Sequence, residues 1–202
     1  DNPRGVEISA FVFGGRRAKL APLVYEARDW DHGVFLGATM ASETTAASSG
    51  KVGVVRRDPM AMLPFCGYNM CDYFSHWLKM GYRTNGSPKF FHVNWFRTDE
   101  KGNYIWPGFG DNMRVLDWIL KRCENAVDAE ETAIGYLPKA EDVNIEGMEN
   151  FTREDLEKLL VIDKKAWQKE AGEIGEFFKK FGDEMPERLL KQLRILKSNL
   201  RD

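Results

Sequence analysis

Residues 89–97, KFFHVNWFR, restrict what this chain can become more than any other run in it. Apolar and aromatic side chains occupy both registers of a period-two pattern, as a strand buried on at least one face requires. EISAFVF at 7–13 is a second such strand, passing straight into Gly14–Gly15–Arg16–Arg17, and VGVVRRDP at 52–59 is a third. Between them, MCDYFSHWLKMGY (70–82) alternates at helical spacing, and a helix is expected from residue 112 to about 124. HGVFLGATM (32–40) is apolar and small enough to be either helix or buried strand. Strands interleaved with helices in this way predict a mixed α/β (α+β) fold.

The last fifty residues differ in kind. FTREDLEKLLVI opens with Thr152 and places Asp155 three positions on, the spacing of a capping box. KKAWQKEAGEIGEFFKKFG and MPERLLKQLRILKSNL follow as charged amphipathic helices, separated by Gly182, Asp183 and Pro186. The organisation expected is a mixed region over 1–135 and a helical extension over 136–202 packed on it. ASETTAASSGK (41–51) is small and polar throughout, the composition of a loop that moves.

Composition narrows the function. A formal charge of −2 on 202 residues supplies no basic field for nucleic acid. No apolar run approaches membrane-spanning length, and DNPRGVEISAF lacks the features of a signal peptide. Cys66, Cys71 and Cys123 are too scattered for a disulfide framework or a zinc site, so a reducing cytoplasm is expected. The opening turn DNPRG leads at once into a buried strand, which reads as a cut inside a larger protein. No GxxxxGK[ST] loop is present, and no HxH or HxxxH pair marks a metal site.

Two stretches carry candidate chemistry. In FGGRR (13–17), two glycines permit a positive-φ turn or a close backbone approach, and two guanidiniums follow that can each hold a phosphate or carboxylate. The same residues also suit an exposed turn with solubilising charges. In KFFHVNWFRTDEKGNYIWPGFGDN, the TDEKGN segment has hairpin-turn chemistry that would bring Phe96 near Phe109. Two such rings can sandwich a planar base, while backbone at Gly110 and the Asn112 amide read its edge. An aromatic core under the following helix is the alternative, with Asp111 or Asn112 as the N-cap. His76 and His92 fit structural roles, and His32 sits near a turn.

FGGRR, PLVYEA (22–27), HGVF (32–35), SETTAA (42–47), RRDPMAMLPF (56–65), FHVNWFR (91–97) and WPGFGDN (106–112) occur in that order. The ordered set resembles the C-terminal nucleotide-binding lobe of the GTP-dependent phosphoenolpyruvate carboxykinases. The resemblance implies conversion of oxaloacetate and GTP to phosphoenolpyruvate, GDP and CO2 in gluconeogenesis, by a monomeric parent enzyme much longer than this chain. It implies Mn2+ at the active site and Mg2+ with the nucleotide, their ligands and the phosphate loop lying upstream. It implies that Arg16 meets substrate and phosphate groups as a catalytic and nucleotide-binding residue. Phe96, Phe109, Gly110, Asp111 and Asn112 match the guanine pocket. Ser42, Glu43, Thr44, Thr45, Ala46, Ala47, Ser48, Ser49, Gly50 and Lys51 match the active-site lid. Tyr104 stands where many members have phenylalanine, and Asp111 where many have glutamate. The chain by itself is expected to be inactive. A freestanding purine-binding module and a non-enzymatic helical interaction domain are the readings without the resemblance.

Overall fold

The computed structural model describes residues 2–45, 51–84 and 88–201. In chain order the elements are β1 (Ala10–Gly14), β2 (Val24–Glu26), α1 (Trp30–Ala38), β3 (Ala41–Glu43), β4 (Val55–Arg57), α2 (Met70–Met80) and β5 (Lys89–Val93). They continue with α3 (Asn112–Cys123), β6 (Glu130–Thr132), β7 (Gly135–Leu137), α4 (Arg153–Leu160), α5 (Lys164–Lys179) and α6 (Glu187–Asn199).

Five strands form one mixed sheet in the order β1-β5-β2-β7-β6, and β3 and β4 form a separate antiparallel pair. β1 runs parallel to β5, with Phe11 opposite Phe90 and Phe13 opposite His92; the remaining pairings in the sheet are antiparallel. Successive residues of a strand point to opposite faces, and β5 uses both. Phe90 enters a core with side chains of α1, α2, α5 and α6, whereas Phe91 and Val93 enter another with α3 and α4. The sheet is therefore covered on both faces. That is why KFFHV is apolar in both registers.

The ambiguous segment 32–40 is helical. Asp29 accepts a hydrogen bond from the His32 backbone N–H at 2.8 Å and starts α1 as its N-cap. Burial all round α1, rather than a wrong choice of residue type, is what blurred its periodicity: six residues from His32 to Gly37 are buried in sequence. Gly33 lets the helix sit close, since a Cβ there would lie 2.2 Å from the Phe90 ring. The expected strands at 7–13, 52–59 and 89–97 are shorter than their apolar runs. The capping box at Thr152 and Asp155 forms as the spacing predicts.

The C-terminal helices are part of both cores. Trp167, Ile174 and Phe178 of α5 and Leu189, Leu193 and Leu196 of α6 fill the first, and Leu156 and Leu159 of α4 fill the second. Residue 135, where the mixed region was expected to give way to helices, lies in β7.

Candidate functional site

β1 delivers the FGGRR turn to the edge of the β3–β4 pair. Gly14 and Gly15 do not adopt positive φ, which corrects one expectation. What Gly15 supplies is clearance: a Cβ there would stand 2.3 Å from the carbonyl oxygen of Ala41 in β3. The two arginines then part company. Arg16 stays at the surface of the turn, its backbone N–H donating to Ser42 Oγ at 3.1 Å and its Nε to the Glu43 carbonyl at 3.3 Å. Its guanidinium carbon lies 5.9 Å from the centre of the Phe96 ring. It lines a cavity of about 230 Å³ together with Ser42, Glu43, Thr44, Arg56 and Asp58.

Arg17 turns into the protein. Its Nη1 and Nη2 donate to Glu170 Oε1 and Oε2 at 2.9 and 2.7 Å, and Arg57 Nη1 approaches Glu170 Oε1 at 2.8 Å. Burial opposes the charge on Arg17, but the hydrogen bonds and charge of Glu170, with Glu43 behind it, outweigh burial and hold its proton more firmly than usual. Burial likewise works to raise the Glu170 carboxyl, and the two guanidiniums overcome it, leaving its pKa below the ordinary glutamate range. A single carboxylate on α5 thus fixes the arginine that directs its neighbour outward. The sequence contains no local sign of it.

Asn94 joins this turn to the aromatic region. It is wholly buried, its Oδ1 accepting from the N–H groups of Arg17 and Phe96 at 3.2 Å each. Its Nδ2 donates to the carbonyls of Arg17 and Ala21, both at 2.8 Å. β5 ends at Val93, and Asn94 adds a backbone N–H bond to the Leu23 carbonyl at 3.0 Å to this side-chain cross-link.

The hairpin expected after Phe96 is present. Thr98 and Tyr104 form an antiparallel bridge, Ile105 N–H donates to the Arg97 carbonyl at 2.9 Å, and Asp99 Oδ1 accepts from the N–H groups of Lys101 and Asn103. Tyr104 meets Phe96 edge-on, with ring centres 5.8 Å apart. Phe109 is the exceptional residue: its side chain is 99% exposed and its φ is +49°, directly after Gly108 at +77°. A left-handed conformation costs a non-glycine residue roughly 1–2 kcal/mol, and full exposure forfeits the gain from burying an aromatic ring. Core packing under the helix therefore does not account for Phe109.

Neither Asp111 nor Asn112 caps α3 through its side chain. A 3₁₀ turn at Phe109–Asp111 leads into the helix instead, and both side chains are used elsewhere. Asp111 accepts from Arg114 Nε at 2.9 Å, and Asn112 Oδ1 accepts from Trp106 Nε1 at 2.8 Å. Trp106, Asn94 and Glu170 are the residues that sequence reasoning missed here.

Of the lid positions, Ser42, Glu43, Thr44, Thr45 and Lys51 are described, and Ala46, Ala47, Ser48, Ser49 and Gly50 lie outside the described residues. β3 and β4 carry the segment, with Thr44 N–H donating to the Val54 carbonyl and Gly53 N–H to the Thr44 carbonyl, both at 2.9 Å. Ser42 and Glu43 thereby belong both to this strand pair and to the Arg16 cavity.

Among the described residues no three His, Cys, Asp or Glu side chains converge on a metal-sized site. His32 is buried, with Nδ1 accepting from the Arg28 N–H at 3.0 Å, and His92 is buried against Tyr25, ring centres 5.1 Å apart. Burial first, and then a neighbouring arginine, lowers their pKa values to about 3 for His32 and about 4 for His92. A larger cavity of about 620 Å³ lies along the outer edge of β1, lined by Phe11, Trp30, Tyr73, Trp77 and others. It has no lysine or arginine, so it does not suit a phosphate. Among the described residues no helix is long and apolar enough to cross a membrane.

Comparison with known proteins fits this arrangement. The profile of the family described as "Phosphoenolpyruvate carboxykinase C-terminal P-loop domain" matches residues 1–199. The chain is 52% identical over 200 residues to the phosphoenolpyruvate carboxykinase [GTP] of Thermoplasma volcanium, covering 99% of this chain and 33% of the relative. Against the same-named protein of Treponema pallidum strain Nichols it is 52% identical over 204 residues, covering 99% of this chain and 33% of the relative. Against that of Chlamydia muridarum it is 48% identical over 202 residues, covering 100% and 34%. The chain thus spans about a third of the length of these relatives. It belongs to the GTP-dependent phosphoenolpyruvate carboxykinase family.

Proposed function

We propose that this chain forms the base-recognising part of an enzyme that converts oxaloacetate and GTP to phosphoenolpyruvate, GDP and CO2. The observation that carries the reading is Phe109, held exposed at φ +49° across a hairpin from Phe96 and three residues before Asn112. An aromatic face kept bare at the expense of backbone strain suits a flat ligand that covers it on arrival. The family's name, which carries GTP, supports guanine as that ligand.

Each residue then has a task. Phe96 and Phe109 stack on the base, and Asn112 with the backbone at Gly110 and Asp111 reads its edge. Arg16, beside Phe96 and open to the cavity, faces the phosphate end of the nucleotide and the substrate. Decarboxylation of oxaloacetate breaks a C–C bond and leaves its electron pair on an enolate, whose oxygen takes the γ-phosphoryl group as GDP leaves. Charge builds on the transferring phosphoryl oxygens, where a guanidinium lowers the barrier by position and charge. The segment 41–51 would close over the site and exclude water, protecting the enolate from protonation to pyruvate.

Manganese at the active site and magnesium on the nucleotide would supply further positive charge. We assign the ligands of both ions, and the phosphate loop, to the rest of the polypeptide. We place the enzyme in the cytoplasm as a monomer serving gluconeogenesis; its three cysteines are unpaired, as a reducing compartment requires.

The test is a carboxykinase assay of the full-length protein with Arg16→Ala. Loss of at least about 100-fold in kcat, with an unchanged melting temperature, is expected. Near-normal turnover in a folded variant would overturn the assignment.

A further inference from the structure

We infer that Trp106 is a positioning residue that decides which purine edge Asn112 can read. The inference rests on the guanine-slot reading above and deepens it.

An asparagine amide is two-sided, with a carbonyl that accepts and an NH2 that donates. Left free to turn over, it pairs as readily with adenine as with guanine; asparagine is a common partner of adenine N6 and N7. Asn112 therefore cannot discriminate unless something fixes its orientation. The Trp106 indole N–H can only donate, and it lies 2.8 Å from the Asn112 amide. The amide must turn its oxygen toward the indole. Among the described residues Nδ2 has no acceptor, so it is left as a donor three residues on from the exposed Phe109.

The indole is itself immobile. Trp106 is 2% exposed, stands edge-on to Phe151 with ring centres 5.3 Å apart, and shares a core with Val115, Trp118 and Leu156. The entry to α3 is tied from the other side, where Arg114 bridges Asp111 and the Asn144 carbonyl at 2.9 Å each. A fixed donor at Asn112 meets the O6 acceptor of guanine favourably. At the same place adenine carries the N6 amino group, and two donors would face each other. The core thus imposes selectivity by removing one of the two faces of an ambidextrous side chain.

The experiment measures GDP and ADP affinity in the full-length protein, for the wild type and for Trp106→Phe, which keeps an aromatic ring but lacks the N–H. Benzothienylalanine placed at position 106, with sulfur in place of Nε1–H, gives the same deletion at nearly constant volume and guards against misfolding. The wild type is expected to favour GDP by about tenfold to 100-fold. In both altered proteins ADP should tighten while GDP weakens, bringing the ratio toward unity. A role in packing alone would weaken GDP and ADP together and leave the ratio unchanged, which would overturn the proposal. A wild type that binds GDP and ADP alike would overturn the slot reading and this proposal together.

Discussion

Asn94 and Arg17 are bonded in both directions: the Asn94 Oδ1 accepts from the Arg17 N–H at 3.2 Å, and its Nδ2 donates to the Arg17 carbonyl at 2.8 Å. A side chain here takes the place of a strand, pairing with a backbone residue as a sheet neighbour would. Through Phe96 N–H the same amide also anchors the start of the aromatic hairpin. The FGGRR turn and the hairpin after Phe96 are therefore set relative to each other by one buried group. Asn94→Ala deletes four hydrogen bonds, three of them fully buried, and strands their partners. It should cost at least about 3 kcal/mol, at 1–3 kcal/mol for each unsatisfied group, read as a shift in denaturant midpoint. A loss below 1 kcal/mol would show that the turn is held by other contacts.

Glu170 pairs with both Arg17, which is buried, and Arg57, which is largely shielded from solvent. Glu170→Ala removes the nearest counter-charge of both guanidiniums, leaving only Glu43 at 3.8 Å from Arg17 and Glu173 at 3.8 Å from Arg57, at a cost of up to about 3–5 kcal/mol. Because Arg16 is set by its neighbour, the variant should also lose carboxykinase activity in the full-length enzyme under conditions where it remains folded. Chemical denaturation and turnover measured on the same preparation check both outcomes.

Acid sensitivity should begin well above the carboxylate range. His32 and His92 are buried neutral, with pKa values lowered to about 3 and about 4 against about 6.5 in an unfolded chain. Below about 6.5 the unfolded state binds protons that the folded state refuses, so stability is full above that pH and falls as pH drops toward the folded values. Each histidine contributes a slope of about 1.4 kcal/mol per pH unit within that window. Glu170, lowered by its arginines, adds a further loss once pH passes below the ordinary glutamate range. Stability profiles of wild type and His92→Gln check this: the variant should be flatter between pH 6.5 and 4.

Phe109→Gly should separate stability from function. Glycine relieves a left-handed strain of roughly 1–2 kcal/mol and returns about 0.5–1 kcal/mol through its greater freedom when unfolded. A small net gain in stability is expected, read as a raised denaturant midpoint. Nucleotide affinity should fall by about 1–3 kcal/mol as one stacking face is lost, measured by calorimetry on the full-length protein.

How much of this was legible from residues alone follows the range of the interactions. The strand at KFFHV, the helix at 70–82 and the capping box at Thr152 rest on neighbours within a few positions, and each is visible as a pattern. The hairpin after Phe96 was readable for the same reason, since TDEKGN encodes its own turn. The Arg17–Glu170 pair links residues 153 apart, and nothing near either reveals the other. Asn94 was hidden differently, because an asparagine between Val93 and Trp95 continues an apparent strand. Asn112 had a plausible local use as an N-cap, which concealed its bond to Trp106. Of the two reasons for singling out Gly15, positive φ is not used, while the close approach is present but to the Ala41 carbonyl of β3.

The central claim is that guanine lies between Phe96 and Phe109. Intermolecular NOEs test it most directly, from H8 of GDP bound to the full-length protein carrying ring-labelled phenylalanine, with Phe96→Leu and Phe109→Leu to assign the two rings. The account predicts cross-peaks from H8 to both rings, each lost in its own variant. Bound GDP whose H8 contacts neither ring would contradict it.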